Sequence, residues 1–158
     1  NPAKQTTNTM LEPGIFLKNG ILVYYFRTSV GNIYACDISQ TNSILNISEP
    51  YSLGIPAENA ESSIVWLREL NLYIASYIRL KETPNSLRKH LDLSISYDGE
   101  NWRKYKNLVD VDVDQNYRLN YPSIYLGDES LIVTYSPSKV DQFWSLENIE
   151  IPYCLIKE

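Results

Sequence analysis

A chain of 158 residues with a formal net charge of −5 and a pI near 4.9 lacks the basic surface that nucleic-acid binding requires. Its 13 tyrosines and 3 tryptophans favour strands over helices, because aromatic side chains pack well on a sheet. No run of about 18 apolar residues occurs, so the sequence predicts no membrane span. The length favours one domain over residues 1–158.

Short apolar segments separated by turn residues predict strands along the whole chain. A first round covers residues 15–17, 21–27, 33–37 and 44–45, and a connection rich in Pro, Gly, Ser and Asn follows at 50–60. A second round covers 63–67, 72–78, 91–96 and 102–105, and a third covers 123–126, 131–135, 143–146 and 149–156. Rounds restarting about every 50 residues predict an all-β chain of three four-stranded β-propeller blades, approximately 11–50, 51–107 and 108–158. The alternative is a β-sandwich.

The hairpin after residues 91–95 carries the most specific motif. An apolar/polar alternation leads into Ser96, Asp98 and Gly99 mark a tight turn, and Trp102 follows just past it. The spacing S-x-D-G-x-x-W resembles the Asp-box of sialidases and related β-propellers, in a form one residue shorter than the common one. We expect Trp102 to be buried beneath the turn.

Four further segments resemble sialidase blades in the family's order. Glu12 precedes a turn, and Arg27 ends the strand that follows it. Arg88 lies eight residues before Ser96, and Tyr121 lies in a segment similar to the one that carries the family's nucleophile. The resemblance covers nearly the whole chain and implies half of a six-bladed propeller.

The resemblance implies a retaining glycoside hydrolase of exo-sialidase type, acting on a sialylated glycan or a related anionic sugar without a cofactor. Tyr121 would be the nucleophile, since a neutral phenol is not repelled by the substrate carboxylate, and Glu12 would remove its proton. Arg27 and Arg88 would bind that carboxylate, because a guanidinium group pairs with it through two hydrogen bonds. A secreted or cell-surface location is implied by the family alone.

Two departures leave rival functions open. No segment matches the family's first arginine or its catalytic aspartic acid, so activity would require a separate N-terminal half-propeller chain or a second copy to complete the ring. The alternatives are a non-catalytic carbohydrate-binding module and a propeller module that serves assembly only.

Each candidate also has a structural interpretation. Arg88 could be a surface charge, Arg27 could extend its charged end from an apolar strand, Tyr121 could be a core aromatic, and Glu12 could be a solvated loop residue. If the candidates form a site, we expect the Glu12 carboxylate to lie about 2.6–3.2 Å from the Tyr121 hydroxyl, with both guanidinium groups directed at one space.

Three local expectations complete the analysis. A residue that precedes proline, as Tyr121 does, is expected to be extended. Cys36 and Cys154 lie in strand-like runs and are predicted to be buried free thiols. The alternating aspartates at 110, 112 and 114 lack the glycine and glutamate of a calcium loop, so no metal site is predicted.

Overall fold

The computed structural model describes residues 11–28, 33–55, 62–80, 88–111, 117–139 and 145–156; at positions 11, 80, 88, 89, 117 and 139 it describes the backbone alone. These residues form twelve strands and no α-helix, and none of their helical turns is long and apolar enough to cross a membrane. The strands are β1 (Leu11–Lys18), β2 (Ile21–Arg27), β3 (Ile33–Thr41), β4 (Ile44–Ile47), β5 (Tyr51–Ser52), β6 (Ser62–Leu67), β7 (Leu72–Leu80), β8 (Arg88–Ser96), β9 (Arg103–Asp110), β10 (Tyr117–Leu126), β11 (Ser130–Lys139) and β12 (Glu147–Pro152).

The strands form three antiparallel sheets in chain order. The first sheet runs β1-β2-β3-β4, with β5 also paired to β3. The second runs β6-β7-β8-β9, and the third runs β10-β11-β12. Each sheet is thus a meander of sequence neighbours, as the predicted blades require, and the all-β prediction is confirmed.

The second sheet lies between the other two. On one side the Tyr25 hydroxyl of the first sheet donates a hydrogen bond to the Ser62 carbonyl oxygen at 3.3 Å. On the other side the Ile124 amide of the third sheet donates to Ser63 Oγ at 3.2 Å. Because neighbouring residues of a strand face opposite ways, the Ser63 side chain marks the face toward the third sheet. Tyr73, which contacts Phe16 of the first sheet edge-on, marks the other face. The face toward the third sheet is largely apolar and buried, with Leu72, Ile74, Ile78, Leu91, Leu93 and Ile95.

The last predicted strands differ from the structure. The third sheet has three strands in the described part of the chain. Half of the strand predicted at 143–146 lies outside the described residues, and the described half, 145–146, is not in a strand. The strand predicted at 149–156 ends at Pro152, after which Tyr153–Leu155 form a single 3₁₀ turn. Cys154 lies in that turn and is exposed, so its predicted burial is wrong, whereas Cys36 is a buried free thiol as expected.

The Asp98–Gly99 turn is closed by hydrogen bonds within it. Asp98 Oδ1 accepts from the Ser96 hydroxyl at 2.8 Å and from the amides of Glu100 and Asn101 at 2.8 and 2.7 Å. Hydrogen bonds hold the pKa of Asp98 well below its ordinary value, and the backbone bond from Asn101 has the largest effect. Gly99 has a φ of 75°, the left-handed region that glycine adopts without strain. The Trp102 indole N–H reaches back to the Gly99 carbonyl oxygen at 3.3 Å, and its ring is partly buried against the core.

Replacing Trp102 by alanine is expected to lower the free energy of unfolding by about 3 kcal/mol, the low end of the range for an aromatic core residue. The ring is only partly buried, so the full effect of a core aromatic is not expected. Urea unfolding measures the change. Trp102→Phe retains a ring but loses the indole hydrogen bond, and should lose about 1 kcal/mol. Wild-type stability in Trp102→Ala would show that the ring does not contribute to the fold.

Candidate functional site

Two matched β-bulges lie on the first strands of the first and third sheets. The pairing of β1 with β2 shifts between Leu11 and Gly14, and that of β10 with β11 shifts between Asn120 and Ser123. Glu12 and Tyr121 are each the first of the two residues that their bulge sets opposite a single residue of the neighbouring strand. Bulges redirect side chains and occur often beside active sites.

Both bulge residues have an uncommon backbone conformation. The φ angles of Glu12 and Tyr121 are 50° and 52°, and each residue precedes a proline. A positive φ in a residue other than glycine is strained by about 1–3 kcal/mol, and such strain is concentrated at functional sites. The expectation that Tyr121 is extended because it precedes proline is therefore wrong. The bulge changes the strand pairing at this point, and this overrides the preference of a residue before proline for extended backbone.

The bulge in the first sheet places Glu12 against Arg27. Arg27 Nε donates to Glu12 Oε2 at 2.8 Å, and Nη2 donates to Oε1 at 2.9 Å. The arginine is 7% exposed and the glutamate is partly exposed. A two-bond pair of this kind fixes the plane of the carboxylate. The structure thus joins two of the four predicted site residues directly.

Tyr121 presents its ring to solvent. The residue is 54% exposed, so the core-aromatic interpretation of Tyr121 does not hold. The start of β6 contacts both neighbouring sheets, since the Ser62 carbonyl oxygen accepts from Tyr25 of β2 and Ser63 Oγ accepts from Ile124 near the end of β10. That Glu12 reaches the Tyr121 hydroxyl stays a prediction.

Arg88 begins β8, and its side chain lies outside the described residues. The nearby Arg79 instead binds a carboxylate that the sequence analysis missed. Asp92 is fully buried and accepts from Arg79 Nε at 2.9 Å, Lys104 Nζ at 3.1 Å and Asn107 Nδ2 at 2.7 Å. Burial opposes ionisation of Asp92, but these three donors together hold its pKa below the ordinary value.

The only sequence signal for this cluster is an aspartate in the alternating run before the Asp98 turn. A polar residue at the position of Asp92 is expected to face solvent when a strand is assumed to have one buried face. The second sheet is covered on both faces, so the alternation hides a buried polar position. Among the described residues, no cluster of His, Cys, Asp or Glu could hold a metal ion.

A second polar cluster lies at the opposite end of β1. Lys18 is buried, and its Nζ contacts Glu100 Oε1 at 3.0 Å and the Tyr51 hydroxyl at 3.2 Å. Tyr51 in turn donates to Asp37 at 2.6 Å. Burial disfavours the charged lysine, but bonds to Glu100 and Tyr51 outweigh it and the pKa of Lys18 is raised. The cluster lines a cleft of about 380 Å³ and ties the Asp98 turn to the first sheet.

Comparison with known proteins identifies the fold. No protein-family model matches this chain, and no curated protein matches its sequence. Among solved structures, an N-acetylgalactosamine deacetylase from F. plautii in complex with blood group B trisaccharide matches with TM-score 0.59 and 15% identity, over 91% of this chain and 50% of that one. An endo-arabinase from Bacteroides thetaiotaomicron VPI-5482 matches with TM-score 0.60 and 14% identity, over 98% of this chain and 59% of that one.

A GH32 β-fructofuranosidase from Bombyx mori, BmSUC1, matches with TM-score 0.54 and 17% identity, over 92% of this chain and 33% of that one. The chain thus spans between a third and three fifths of the length of these three structures. At such identities the likeness shows the fold alone. Together with the three stacked sheets it confirms the prediction that this is an all-β chain of the β-propeller class, similar in fold to carbohydrate-active enzymes.

Proposed function

We propose that this chain forms part of the sugar site of a glycoside hydrolase with a β-propeller fold, and that Glu12 and Tyr121 are its reacting groups. The observation that carries the proposal is the pair of strained bulges, which place a carboxylate and an exposed phenol at equivalent positions. The carbohydrate-active neighbours in the structure comparison support the substrate class.

The chemistry follows from the two side chains. The Tyr121 oxygen attacks the anomeric carbon while its proton passes to the Glu12 carboxylate, and the glycosidic C–O bond breaks. The leaving oxygen takes a proton from an acid that the sequence resemblance does not match to any segment here. Water then attacks the anomeric carbon and gives its proton to the conjugate base of that acid. The bond from the sugar to Tyr121 breaks as Glu12 returns its proton to the tyrosine oxygen.

Arg27 has a different role in this proposal from the one that the sequence resemblance implies. Two of its N–H groups are bound to Glu12, so Arg27 positions the base. Arg88 retains the proposed role of binding the substrate carboxylate, which makes an α-sialoside or a related anionic sugar the preferred substrate.

The test is hydrolysis of an aryl α-sialoside, with an aryl arabinofuranoside for comparison, by the protein expressed from its complete coding sequence. An aryl leaving group needs little protonation. Tyr121→Phe should lower kcat/KM about 100-fold or more. Tyr125→Phe alters an equally exposed tyrosine on the same strand and should leave the rate unchanged. Equal rates for wild type and Tyr121→Phe would refute the catalytic proposal.

A second candidate function is carbohydrate binding without turnover, which the exposed ring of Tyr121 favours because an aromatic face can cover the apolar side of a sugar. In that case Tyr121→Phe retains binding and Tyr121→Ala abolishes it. Titration with free sialic acid, followed by NMR, separates the two functions.

A further inference from the structure

The cleft around Lys18 is separate from Glu12, which lies at the other end of β1. Residues of three strands and one turn line this cleft, which we call the Lys18 cleft: Lys18 of β1, Asp37 of β3, Tyr51 and Ser52 of β5, and Glu100 of the Asp98–Gly99 turn. Its volume of about 380 Å³ lies within the range of small-molecule sites, which begins at about 300 Å³. The space is therefore large enough for a ligand.

The Lys18 side chain is fixed in the cleft with one donor left over. Its stem packs on Gly99, where an added Cβ would lie 3.1 Å from Lys18 Cδ. Its Nζ donates to Glu100 at 3.0 Å and to the Tyr51 hydroxyl at 3.2 Å, whereas Asp37 Oδ1 at 3.7 Å is too distant for a hydrogen bond. Because an ammonium group has three N–H donors, one donor of this buried lysine has no acceptor at hydrogen-bond distance among the described residues.

Two carboxylates flank this donor, and each has one oxygen that the cluster does not use. Asp37 Oδ1 accepts from the Tyr51 hydroxyl at 2.6 Å, and Glu100 Oε1 accepts from Lys18. Neither Asp37 Oδ2 nor Glu100 Oε2 accepts a hydrogen bond from the part of the chain that the structure describes. The two side chains are 34% and 61% exposed, so a ligand in the cleft can reach both carboxylates.

The remaining groups select a ligand that both donates and accepts hydrogen bonds. One lysine and two carboxylates give the cleft a net charge of −1, which repels an anionic ligand. An ammonium or guanidinium ligand only donates, so it would leave the third N–H of Lys18 without an acceptor. A hydroxyl group does both. Adjacent hydroxyls of a sugar can therefore donate to Asp37 and Glu100 while one of them accepts from Lys18.

We propose that the Lys18 cleft is a second binding site of this protein, for the vicinal hydroxyl groups of an uncharged sugar. This ligand differs in charge from the anionic sugar proposed for Glu12 and Tyr121. The two proposals share no residue, so the failure of either one leaves the other standing. A site of this kind holds the protein on a glycan without using the reacting groups.

Saturation-transfer-difference NMR tests the proposal on the protein expressed from its complete coding sequence. The protein carries Tyr121→Ala, so that binding to this tyrosine does not contribute. The uncharged probes are the methyl α-glycosides of galactose, glucose and mannose. Free sialic acid serves as the anionic probe and methylguanidinium as the cationic probe. Each probe is titrated to obtain its dissociation constant.

The test variant is Asp37→Asn/Glu100→Gln. Each new amide retains one oxygen, which can still accept from Tyr51 or Lys18, and replaces the other oxygen by an NH₂ group that only donates. The substitutions thus remove the acceptors that face a ligand. Glu49→Gln is the matched control, since Glu49 is an exposed carboxylate that does not line the cleft.

The expected result is saturable binding of at least one methyl glycoside, weakened about fivefold or more by the double substitution and unchanged by Glu49→Gln. Absence of saturable binding for all three glycosides would overturn the proposal, and so would binding that the double substitution leaves unchanged. Tighter binding of sialic acid or of methylguanidinium would overturn it in favour of a charged ligand. If the double variant does not fold, Glu100→Gln alone should weaken binding, and an unchanged dissociation constant would overturn the proposal as well.

Discussion

Replacing Glu12 by alanine is expected to lower the free energy of unfolding by about 3 kcal/mol. Arg27 would lose the carboxylate that accepts its Nε and Nη2 bonds, while the guanidinium stays 7% exposed. Water cannot easily replace that partner, because a buried charge is solvated poorly. Urea unfolding at pH 7 measures the loss.

A double-mutant cycle separates the ion pair from other effects of the substitution. Once Arg27 is also replaced by methionine, the additional effect of Glu12→Ala should be small, since the pair is already broken. Glu49→Ala removes an exposed carboxylate of the same sheet region and should change stability by less than about 0.5 kcal/mol. A loss as small as this for Glu12→Ala would contradict the structural importance of the pair.

Replacing Asp92 by asparagine is expected to lower the free energy of unfolding by about 3 kcal/mol at pH 7. The carboxylate is fully buried, and both of its oxygens accept hydrogen bonds. The asparagine amide has one accepting oxygen and an NH₂ group that only donates. That NH₂ would face either Asn107 or the Arg79–Lys104 side, and donors already point at both positions. Urea unfolding measures this change as well.

The contribution of Asp92 to the free energy of unfolding is expected to decrease as the pH falls. The folded-state pKa lies below the ordinary value of 3.8, so the unfolded chain binds more protons in the acid range. The stabilisation from Asp92 is therefore fully present above about pH 4 and is lost as the pH falls through the folded-state pKa. The difference between wild type and Asp92→Asn should shrink between pH 5 and pH 2, by the linkage relation.

Asp128→Asn provides the control, since Asp128 is exposed in the turn between β10 and β11. Its effect should stay within about 0.5 kcal/mol at every pH. A difference between wild type and Asp92→Asn that grows on acidification would mean that burial, and not the three donors, sets the pKa of this carboxyl.

The strands and the Asp98–Gly99 turn were predictable because their causes are local. Alternation with a period of two selects extended backbone wherever the polar and apolar residues differ in burial. The predicted range 21–27 coincides with β2. The turn needs only residues that follow one another, because Asp98 accepts bonds from its own Ser96, Glu100 and Asn101.

The exposure of Cys154 and the burial of Asp92 could not be predicted without the tertiary structure. Cys154 was placed in a strand by its apolar neighbours, but β12 ends at Pro152, and the 3₁₀ turn after it leaves the thiol exposed. Asp92 is buried because a sheet covers each side of its strand, and a strand's own sequence does not report how many sides are covered.

The sequence alone determined the all-β class, the three rounds of strands and the choice of Glu12, Arg27 and Tyr121 as residues of interest. The tertiary structure decided what those residues do to one another. A single extra residue in each bulge shifts the pairing, and this rotates Glu12 onto Arg27 and turns Tyr121 to solvent. Local preference for extended backbone before proline predicted the opposite geometry, because a bulge exists only in the pairing of two strands and not in either one alone.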